Sequence, residues 1–336
     1  GRRLGPRTAV GEHMGLSVVF VAVPAWRPKR LFWPVNRRRE QAAMVAAVSA
    51  GGSVVGPIDL IHSHFYAASG AVPAVAAAIG VPYVHTEHTS QLIDPAQRLS
   101  RAGLGAMRAV FGGASRVFFV SDDQVAAVRR LGIQGRFEVV PNPVDPELFD
   151  SPSSHRDGSR LVTVGKLRPL KRHDLLLRAL AVLAPSRPEV HLEIIGSGPL
   201  DTSLRALADE LGIADKVTFW GRLPREEVAD RLRSADVYVH AADRETFGVA
   251  IVEALFTGLP VVARAAGGVT TDLRRGGAAI VDGEDPGALA AAVAGVLQDG
   301  GRRSRAAAAR LARERYSVAG VAATVARVYG EVAGGG

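Results

Sequence analysis

The stretch VTFWGRLPREEVADRLRSADVYVHAADRETFGVAIVEALFTGLPVVARAAGGV, residues 217–269, decides the fold. Short runs rich in β-branched residues, typical of strands, alternate in it with segments whose apolar residues recur every three or four positions, typical of helices. We predict strands at Lys216–Phe219, Val237–His240 and Pro260–Ala263, and helices at Arg225–Ser234 and Val249–Gly258. Strands that alternate with helices pair in parallel through right-handed crossovers, so the stretch predicts an α/β layered domain.

The same alternation continues upstream and downstream. In the second half of the chain we predict further strands at Leu161–Val164 and His191–Ile195, helices at Asp174–Leu183, Asp201–Leu211 and Gly287–Asp299, and two closing helices. In the first half we predict strands at Ser17–Val23, Leu60–His62, Tyr83–Thr86, Arg116–Val120 and Phe137–Val140, and helices at Arg39–Ala50, Ala67–Ile79, Leu99–Gly112 and Asp123–Leu131.

A Pro-, Asp- and Ser-rich segment, residues 141–160, interrupts both periodicities and predicts a linker. Together with the length of 336 residues, it predicts two Rossmann-like domains. We place the first at 1–150 and the second at 151–320, with 321–336 as a C-terminal helix that packs back toward the first domain. Their parallel sheets would face each other across a cleft at the carboxyl ends of the strands, where open α/β sheets bind ligands.

Composition excludes several classes of protein. The chain has no cysteine, which excludes disulfides, thiolate zinc sites and a cysteine nucleophile. The longest uncharged run, 65–84, is punctuated by glycine and proline, which favours a buried helix entering a strand over a membrane span. No stretch has the order of a signal peptide, so we predict a cytoplasmic protein.

The positive charge is concentrated at the start of the chain. The net charge is +8, and residues 1–40 contribute +7 of it through nine Lys/Arg against two Glu. Because the excess is local, we predict no nucleic-acid partner. Trp26, Phe32 and Trp33 lie among these charges, so residues 24–40 predict contact with an anionic membrane surface, peripheral at the inner face of the plasma membrane. A solvated basic segment is the open alternative.

Two cations follow the predicted strand Leu161–Val164, in the segment GKLRPLK, residues 165–171. Lys166 and Lys171 at a strand end could hold an anionic leaving group in the cleft. Exposed lysines are common after strands, so a purely structural role is the alternative.

A pair of carboxylates follows the strand Val237–His240. Glu245 and Glu253 are eight positions apart; on one helix that spacing is about 12 Å and puts both on broadly one side. The backbone N–H groups of Phe247, Gly248 and Val249 would open that helix and attract phosphate. The alternative is a solvated pair of glutamates.

The motifs in their order resemble one known family. VTVGKLRPLKRHDLLLRAL, LEIIGSGPL and the stretch quoted above, preceded by HSHF, GVPYVHTEHTS, VSDDQVAAV and VPNPVDPELF, are similar to the retaining glycosyltransferases of family 4, over roughly residues 55–330. The resemblance implies the GT-B fold and transfer of a sugar from a nucleotide-sugar donor to a hydroxyl acceptor, lipid-linked or saccharide, with a role in cell-envelope polysaccharide or glycolipid synthesis.

The resemblance also assigns roles to residues. Glu245 and Glu253 would be the family's E-x7-E pair, with Glu245 beside the transferred sugar and Glu253 on the ribose hydroxyls. Lys171 matches the family lysine, and Lys166 stands where the family usually has Arg; with Gly165 at the strand end, both would neutralise the diphosphate. Lys in place of Arg gives up a bidentate fork for a point charge. The family's usual Pro-Ser is Ala241-Ala242 here.

His88, in TEHTS, matches the family's first-domain histidine, which faces the sugar and the acceptor; imidazole is also the commonest acid–base group. His62 and His64 would position that loop. The family needs no ion, and no Asp-x-Asp occurs in the chain, so we predict a metal-independent enzyme without a cofactor. The carboxylate spacing also argues against a retaining glycoside hydrolase, which needs its pair about 5–5.5 Å apart.

Two alternatives stay open. We expect the family's first strand, loop and helix to be absent, because the chain opens at what would be the family's second strand, 17–23. This predicts a truncated or non-catalytic nucleotide-sugar-binding protein as the second function. A dinucleotide-dependent oxidoreductase would need G-x-G-x-x-G, and GSGPLD at 196–201 lacks the third glycine. The sequence does not choose among UDP-, GDP- and ADP-linked donors, nor does it name the sugar or the acceptor.

Overall fold

The computed structural model describes residues 7–13, 16–22, 42–46, 48, 57–94, 99–149, 158–299 and 302–334. Its contacts divide the chain into two compact units. Unit 1 comprises Gly1–Phe119, Val125–Val139 and Val325–Gly336. Unit 2 comprises Val120–Gln124 and Val140–Thr324.

The first two strands form a hairpin of their own. Strand β1, Arg7–His13, pairs antiparallel with β2, Leu16–Ala22. The sequence predicts the second of these strands, but its expected place in a parallel sheet is wrong. Only two residues connect β1 and β2, and a parallel pair needs a crossover of a dozen residues or more. The predicted helix at 39–50 is described only at 42–46 and 48, which are helical.

Unit 1 contains a parallel sheet of four strands in the order β3-β4-β5-β6. Its elements are β3 Ile61–His64, α1 Val72–Ile79, β4 Tyr83–Glu87, α2 Arg101–Gly113, β5 Arg116–Phe119, α3 Asp122–Arg130 and β6 Phe137–Val139. Helix α2 buries Met107, Val110 and Phe111 against Val117 and Phe119 of β5. The alternation predicted for residues 60–140 is therefore confirmed.

Unit 2 contains a parallel sheet of six strands in the order β12-β11-β10-β7-β8-β9. Its elements are α4 Pro146–Phe149, β7 Arg160–Val164, α5 His173–Leu183, β8 His191–Ile195, α6 Asp201–Glu210, β9 Val217–Gly221, α7 Arg225–Ser234, β10 Val237–His240, α8 Val249–Phe256, β11 Val261–Arg264, α9 Thr270–Arg275, β12 Ala279–Val281, α10 Pro286–Gln298, α11 Arg302–Tyr316 and α12 Val318–Ala333. The last residues of α12 belong to unit 1.

Helices cover both faces of the six-stranded sheet. Tyr238 of β10 packs in one apolar cluster with α7, α8 and α11. Its neighbours Val237 and Val239 pack in a second cluster with α5, α6 and α10. Successive side chains of a strand point to opposite faces, so the two clusters lie on opposite sides of the sheet. The predicted α/β fold with parallel sheets is confirmed.

Three elements of unit 2 were not predicted from the sequence. Strand β12 and helix α9 have only three and six residues, too few to show a period. Helix α4 lies inside the predicted linker 141–160, and its Phe149 is fully buried in the cluster of α7 and α8. A proline- and aspartate-rich segment can thus contribute a core residue through a single helical turn.

No helix among the residues described combines the length and apolar composition needed to cross a bilayer.

Candidate functional site

The strand order of unit 2 reverses between β7 and β10. These strands are neighbours, with Leu161 paired to Val237 and Val162 to Tyr238, although a long stretch of chain separates them. Chain order runs outward from this pair in both directions, so the helices after β7 and β10 leave on opposite sides and open a crevice at the strand ends. The loops that follow β7 and β10 carry the predicted cations and carboxylates.

Two glycines let the loop after β7 pass close to the loop after β8. Gly196 has φ +141°, and a Cβ there would lie 1.9 Å from the carbonyl oxygen of Gly165. A Cβ on Gly198 would lie 2.4 Å from the carbonyl oxygen of Leu167. The Leu167 N–H donates to the Ser197 carbonyl at 3.1 Å, which fixes the backbone on either side of Lys166. The glycines of GSG therefore serve backbone contact rather than dinucleotide binding.

Lys171 and Glu245 form an ion pair through Nζ and Oε2. Lys171 ends a short helical turn, Pro169–Lys171, and its side chain is 25% exposed, while that of Glu245 is 14% exposed. The Glu245 N–H donates to Ala266 O at 2.7 Å, and the Asp243 N–H donates to Leu170 O at 2.9 Å. The loop after β10 is thus tied both to the lysine turn and to the strand-end loop beyond β11.

Burial by itself would raise the pKa of Glu245, but the neighbouring ring of His240 and the positive charge of Lys171 outweigh it and lower the pKa to about 2. Glu245 is therefore a carboxylate at neutral pH. Lys166, by contrast, is exposed and has no ion-pair partner among the residues in the structure's described ranges. The structure brings Lys171 and Glu245 together and leaves Lys166 outside this contact.

Glu245 does not lie on the helix that carries Glu253. Helix α8 begins at Val249, the predicted first residue, after Gly248 with φ +100°, so the estimate of 12 Å, which treats both glutamates as parts of one helix, does not apply. The left-handed Gly248 turns the chain out of the helix. A Cβ at Gly248 would lie 3.2 Å from Cγ of Glu245, so a side chain there would press on the side chain of Glu245.

Phe247 anchors the start of helix α8. Its ring is buried and its carbonyl accepts from the Val269 N–H at 3.1 Å. In the described part of the chain, no acceptor contacts the N–H groups of Phe247, Gly248 or Val249. These N–H groups therefore have no acceptor in the described part of the chain, and their contact with phosphate stays a prediction.

Glu253 is buried on α8 and pairs with Arg225, which was not predicted from the sequence as a site residue. Its Oε1 accepts from Nη2 of Arg225 at 3.1 Å. Burial raises the pKa of Glu253, and Arg225 partly offsets the shift. Arg225 is the first residue of α7, after the edge strand β9, and only the sheet order brings it to Glu253.

A second ionic cluster, also missed from sequence, holds the loop after β10. Nη1 of Arg264 donates to Oδ1 of Asp243 at 2.6 Å and to the Ala241 carbonyl at 2.9 Å. Nη1 of Arg172 lies 3.0 Å from the same Asp243 oxygen and 2.9 Å from Oε2 of Glu284. The hydrogen bond to Glu284, with those to Asp174 and Asp243, raises the pKa of Arg172 despite burial. The cluster joins the ends of β7, β10 and β11.

Two buried histidines complete the unit 2 site. His173 opens helix α5, and burial, followed by the effects of His240 and Lys171, lowers its pKa to about 4. His240 ends strand β10. Both rings are neutral at pH 7, and neither was assigned a role from the sequence.

In unit 1, the predicted histidines form a stack at the ends of β3 and β4. The rings of His62 and His64 are 4.4 Å apart, and those of His64 and His88 are 5.7 Å apart. Nδ1 of His62 contacts the hydroxyl of Tyr329, on the C-terminal helix. Burial, followed by the charges of His64, His85 and His88, lowers the pKa of His62 to about 4. The stack is consistent with the predicted positioning role of His62 and His64.

Glu87, which was not predicted from the sequence as a site residue, holds the loop that carries His88. It is fully buried, and its two oxygens accept from the N–H groups of Tyr66 at 2.8 Å, His88 at 2.9 Å and Thr89 at 2.8 Å. Its Oε2 also lies 3.3 Å from Nε2 of His85. The one carboxylate of Glu87 thereby accepts hydrogen bonds from backbone N–H groups of the loops that follow β3 and β4.

Over the part of the chain that the structure describes, no group of three or more His, Cys, Asp or Glu side chains is arranged to hold a metal ion.

Comparison with known proteins identifies the family. A family model described as Glycosyl transferases group 1 matches residues 145–315, and one described as Glycosyltransferase Family 4 matches residues 6–148. The chain belongs to the group 1 glycosyltransferases. The GT-B fold, expected from the sequence, is shown by the solved structures below.

Individual relatives and solved structures are similar to this chain over most of its length. The chain is 32% identical over 312 residues to D-inositol 3-phosphate glycosyltransferase of Thermobispora bispora, covering 82% of this chain and 71% of the relative. Sucrose-phosphate synthase of Thermosynechococcus elongatus superposes with a TM-score of 0.75 at 22% identity, covering 97% of this chain and 86% of that one. Anabaena HepE, solved with UDP and glucose, superposes with a TM-score of 0.70 at 22% sequence identity, covering 86% of this chain and 81% of that one.

We expect Glu87→Gln to lower the free energy of unfolding by about 2–3 kcal/mol, because the amide NH2 would face backbone N–H donors that a carboxylate oxygen now accepts. Urea unfolding followed by circular dichroism measures it. Glu138→Gln is the matched control in the same sheet: Glu138 pairs with Arg327 near the surface, so its loss should cost about 1 kcal/mol or less. Equal losses in the two variants would contradict the organising role of Glu87.

Proposed function

We propose that the protein transfers a sugar from a nucleotide-sugar donor to a hydroxyl of a saccharide or lipid-linked acceptor. The observation that carries this is the meeting of Lys171, Glu245 and the open amides of residues 247–249 at the reversal of strand order in unit 2. Cations and free amides suit a diphosphate, and a carboxylate suits sugar hydroxyls. HepE, of the same fold, is a protein solved with UDP and glucose.

In the proposed complex, Lys166, Lys171 and the N–H groups of Phe247, Gly248 and Val249 neutralise the diphosphate as it leaves. Lys166 is exposed and without an ionic partner among the described residues, so it can move to the ligand without breaking a contact. Gly165 keeps the strand end open beside them. Electrostatic stabilisation of the leaving group then supplies most of the rate enhancement.

Glu253 binds the ribose hydroxyls in this proposal, and Glu245 contacts the transferred sugar. Glu253 is buried beside Arg225, whose side chain is 59% exposed and able to turn toward solvent or ligand. A ribose hydroxyl pair can replace the hydrogen bond that Arg225 now donates to Glu253. The sequence resemblance assigned these roles to the two glutamates, and the burial of Glu245 on the loop after β10 and of Glu253 on helix α8 supports them.

The transfer proceeds with retention of anomeric configuration and without a metal ion or cofactor, with His88 of unit 1 acting on the sugar and acceptor. The acceptor hydroxyl attacks from the face that the diphosphate leaves. We expect the proton NMR coupling of the new anomeric centre to match that of the donor sugar, and turnover to persist in EDTA. An inverted product would contradict retention, and loss of turnover that Mg²⁺ restores would contradict metal independence.

The acceptor screen should begin with D-inositol 3-phosphate, which the names of the curated relatives contain, followed by simple saccharides and lipid-linked glycans. The chain spans 60–72% of the length of those relatives, so their acceptor is a starting point only. A role in cell-envelope polysaccharide or glycolipid synthesis would follow from a lipid-linked acceptor.

We also propose that the protein is cytoplasmic and that residues 24–40 bind the anionic inner face of the plasma membrane. These residues lie outside the described ranges, so the proposal rests on their sequence. Replacing Arg37, Arg38 and Arg39 by Gln should weaken cosedimentation with phosphatidylglycerol vesicles, by about 1 kcal/mol per charge removed. Phosphatidylcholine vesicles are the control surface. Equal binding of the wild type and the triple variant would contradict the proposal.

The donor nucleotide is tested by thermal unfolding with UDP, GDP and ADP. A nucleotide at 100 times its dissociation constant should stabilise the wild type by about 2.7 kcal/mol, because only the folded state binds it. Glu253→Ala should lose most of this stabilisation, whereas Glu210→Ala, at an exposed position of α6, should keep it. If no nucleotide stabilises the wild type, the proposed donor class is wrong.

A further inference from the structure

Three buried side-chain atoms lack a hydrogen-bond partner in the part of the chain that the structure describes: Oγ of Ser121, Nδ1 of His173 and Nε2 of His240. Two of the three belong to the histidines beside the Lys171–Glu245 pair. A buried polar atom without a partner costs free energy, so its persistence calls for a physical reason.

His240 is aimed at the carboxylate of Glu245. Its side chain is 6% exposed, and Nε2 lies 3.5 Å from Oε2 of Glu245, beyond the 2.7–3.2 Å of a normal hydrogen bond. That same Oε2 is the oxygen paired with Nζ of Lys171. Oε2 of Glu245 is thus paired with Lys171, and Nε2 of His240 is a second donor that lies a few tenths of an ångström beyond hydrogen-bond distance.

The two partners differ in how far they can move. Lys171 carries its charge on a flexible stem, so its ammonium can swing to another anion without backbone movement. His240 is fixed at the end of a central strand, with its ring stacked at 6.3 Å on that of Tyr238. Glu245 lies on the loop between them, and its carboxylate needs only a small rotation to close on His240.

We propose that Glu245 exchanges partners when a nucleotide-sugar binds: Lys171 moves to the donor diphosphate, and Oε2 of Glu245 closes on Nε2 of His240. The exchange rests on the proposed function, because the diphosphate is what draws Lys171 away. Without His240, the departure of Lys171 would leave a buried carboxylate unpaired beside the reacting sugar. His240 is therefore a positioning residue, which holds Glu245 in place during transfer.

The exchange needs no proton transfer. A neutral imidazole protonated at Nε2 donates one hydrogen bond to a carboxylate. Burial lowers the pKa of His240, although Glu245 opposes the shift, so the ring enters the exchange neutral. Glu245 keeps its negative charge throughout.

A double-mutant cycle tests the exchange without any ligand. Lys171→Met removes the ammonium and mimics its departure, and His240→Phe removes the Nε2 donor while keeping an aromatic ring. We expect His240→Phe to lower the urea midpoint more in the Lys171→Met background than in the wild type, because only there does Glu245 depend on His240. Equal losses in the two backgrounds would overturn the exchange. If His240→Phe does not fold, His240→Leu takes its place.

Kinetics separate positioning from a purely structural role. With UDP-glucose, or with the nucleotide-sugar of whichever nucleotide stabilises the wild type, His240→Phe should lower kcat about ten- to hundredfold. It should also weaken nucleotide binding, because Lys171 then leaves Glu245 unpaired when it moves to the diphosphate. His240→Gln, whose amide NH2 restores a donor, should recover most of the loss. His191→Phe, the same replacement at the opposite end of the sheet where His191 bonds Thr218, should leave kcat unchanged.

The outcomes distinguish the two proposals. A wild type that binds none of UDP, GDP and ADP overturns the nucleotide-sugar function and, with it, the trigger of the exchange. A wild type that turns over, with His240→Phe equally active or His240→Gln no better than His240→Phe, overturns the exchange alone. A kcat loss rescued by Gln, together with a coupled unfolding cycle, supports both.

Discussion

The parallel pairing of β7 with β10 is the constraint on which the rest of unit 2 depends. Leu161 lies opposite Val237, and the loops that leave these strands emerge side by side. Lys171 and Glu245 are 74 residues apart in sequence, yet this one pairing makes them an ion pair. Gly196 and Gly198 then hold the lysine loop close to the sheet edge, since any side chain there would collide with its backbone.

The charges of this site are arranged for exchange more than for stability. Buried ion pairs gain little net free energy, because desolvation offsets the attraction. Glu245 and Glu253 are both buried, and each is paired with a cation. Lys171 has a flexible side chain and Arg225 an exposed one, so in the proposed complex each can turn to the ligand. By contrast, Arg264 links Asp243 to the backbone of Ala241 through two hydrogen bonds, a rigid support for the same loop. Mobile and fixed cations thus flank one short segment.

In unit 1, a single buried carboxylate holds the loops that carry the predicted site histidines. Glu87 accepts three backbone N–H groups and so fixes the loops after β3 and β4. The ring of His88 then lies in a stack with His64 and His62, and Tyr329 of the last helix contacts the far end of the stack. The position of His88 is therefore set by buried hydrogen bonds and not by its own ring contacts alone.

The sequence by itself determined the class of fold and the chemical groups of the site, because strand and helix periodicities are local and because the ordered motifs resemble a known family. It predicted nearly every strand and helix of unit 2, and it pointed to Lys171 and Glu245, which the structure pairs. The binding roles of these residues, of Glu253 and of the amides stay predictions. It could not predict that residues 16–22 pair antiparallel with the preceding strand.

Only the tertiary structure decided the partners: Arg225 for Glu253, Arg264 and Arg172 for Asp243, Glu87 for the His88 loop, and His240 beside Glu245. Each of these contacts joins elements through the order of strands in a sheet, or through backbone groups that carry no residue-specific pattern. Strand order is a property of the assembled sheet, so local sequence determines which charges are present and the sheet determines which of them meet.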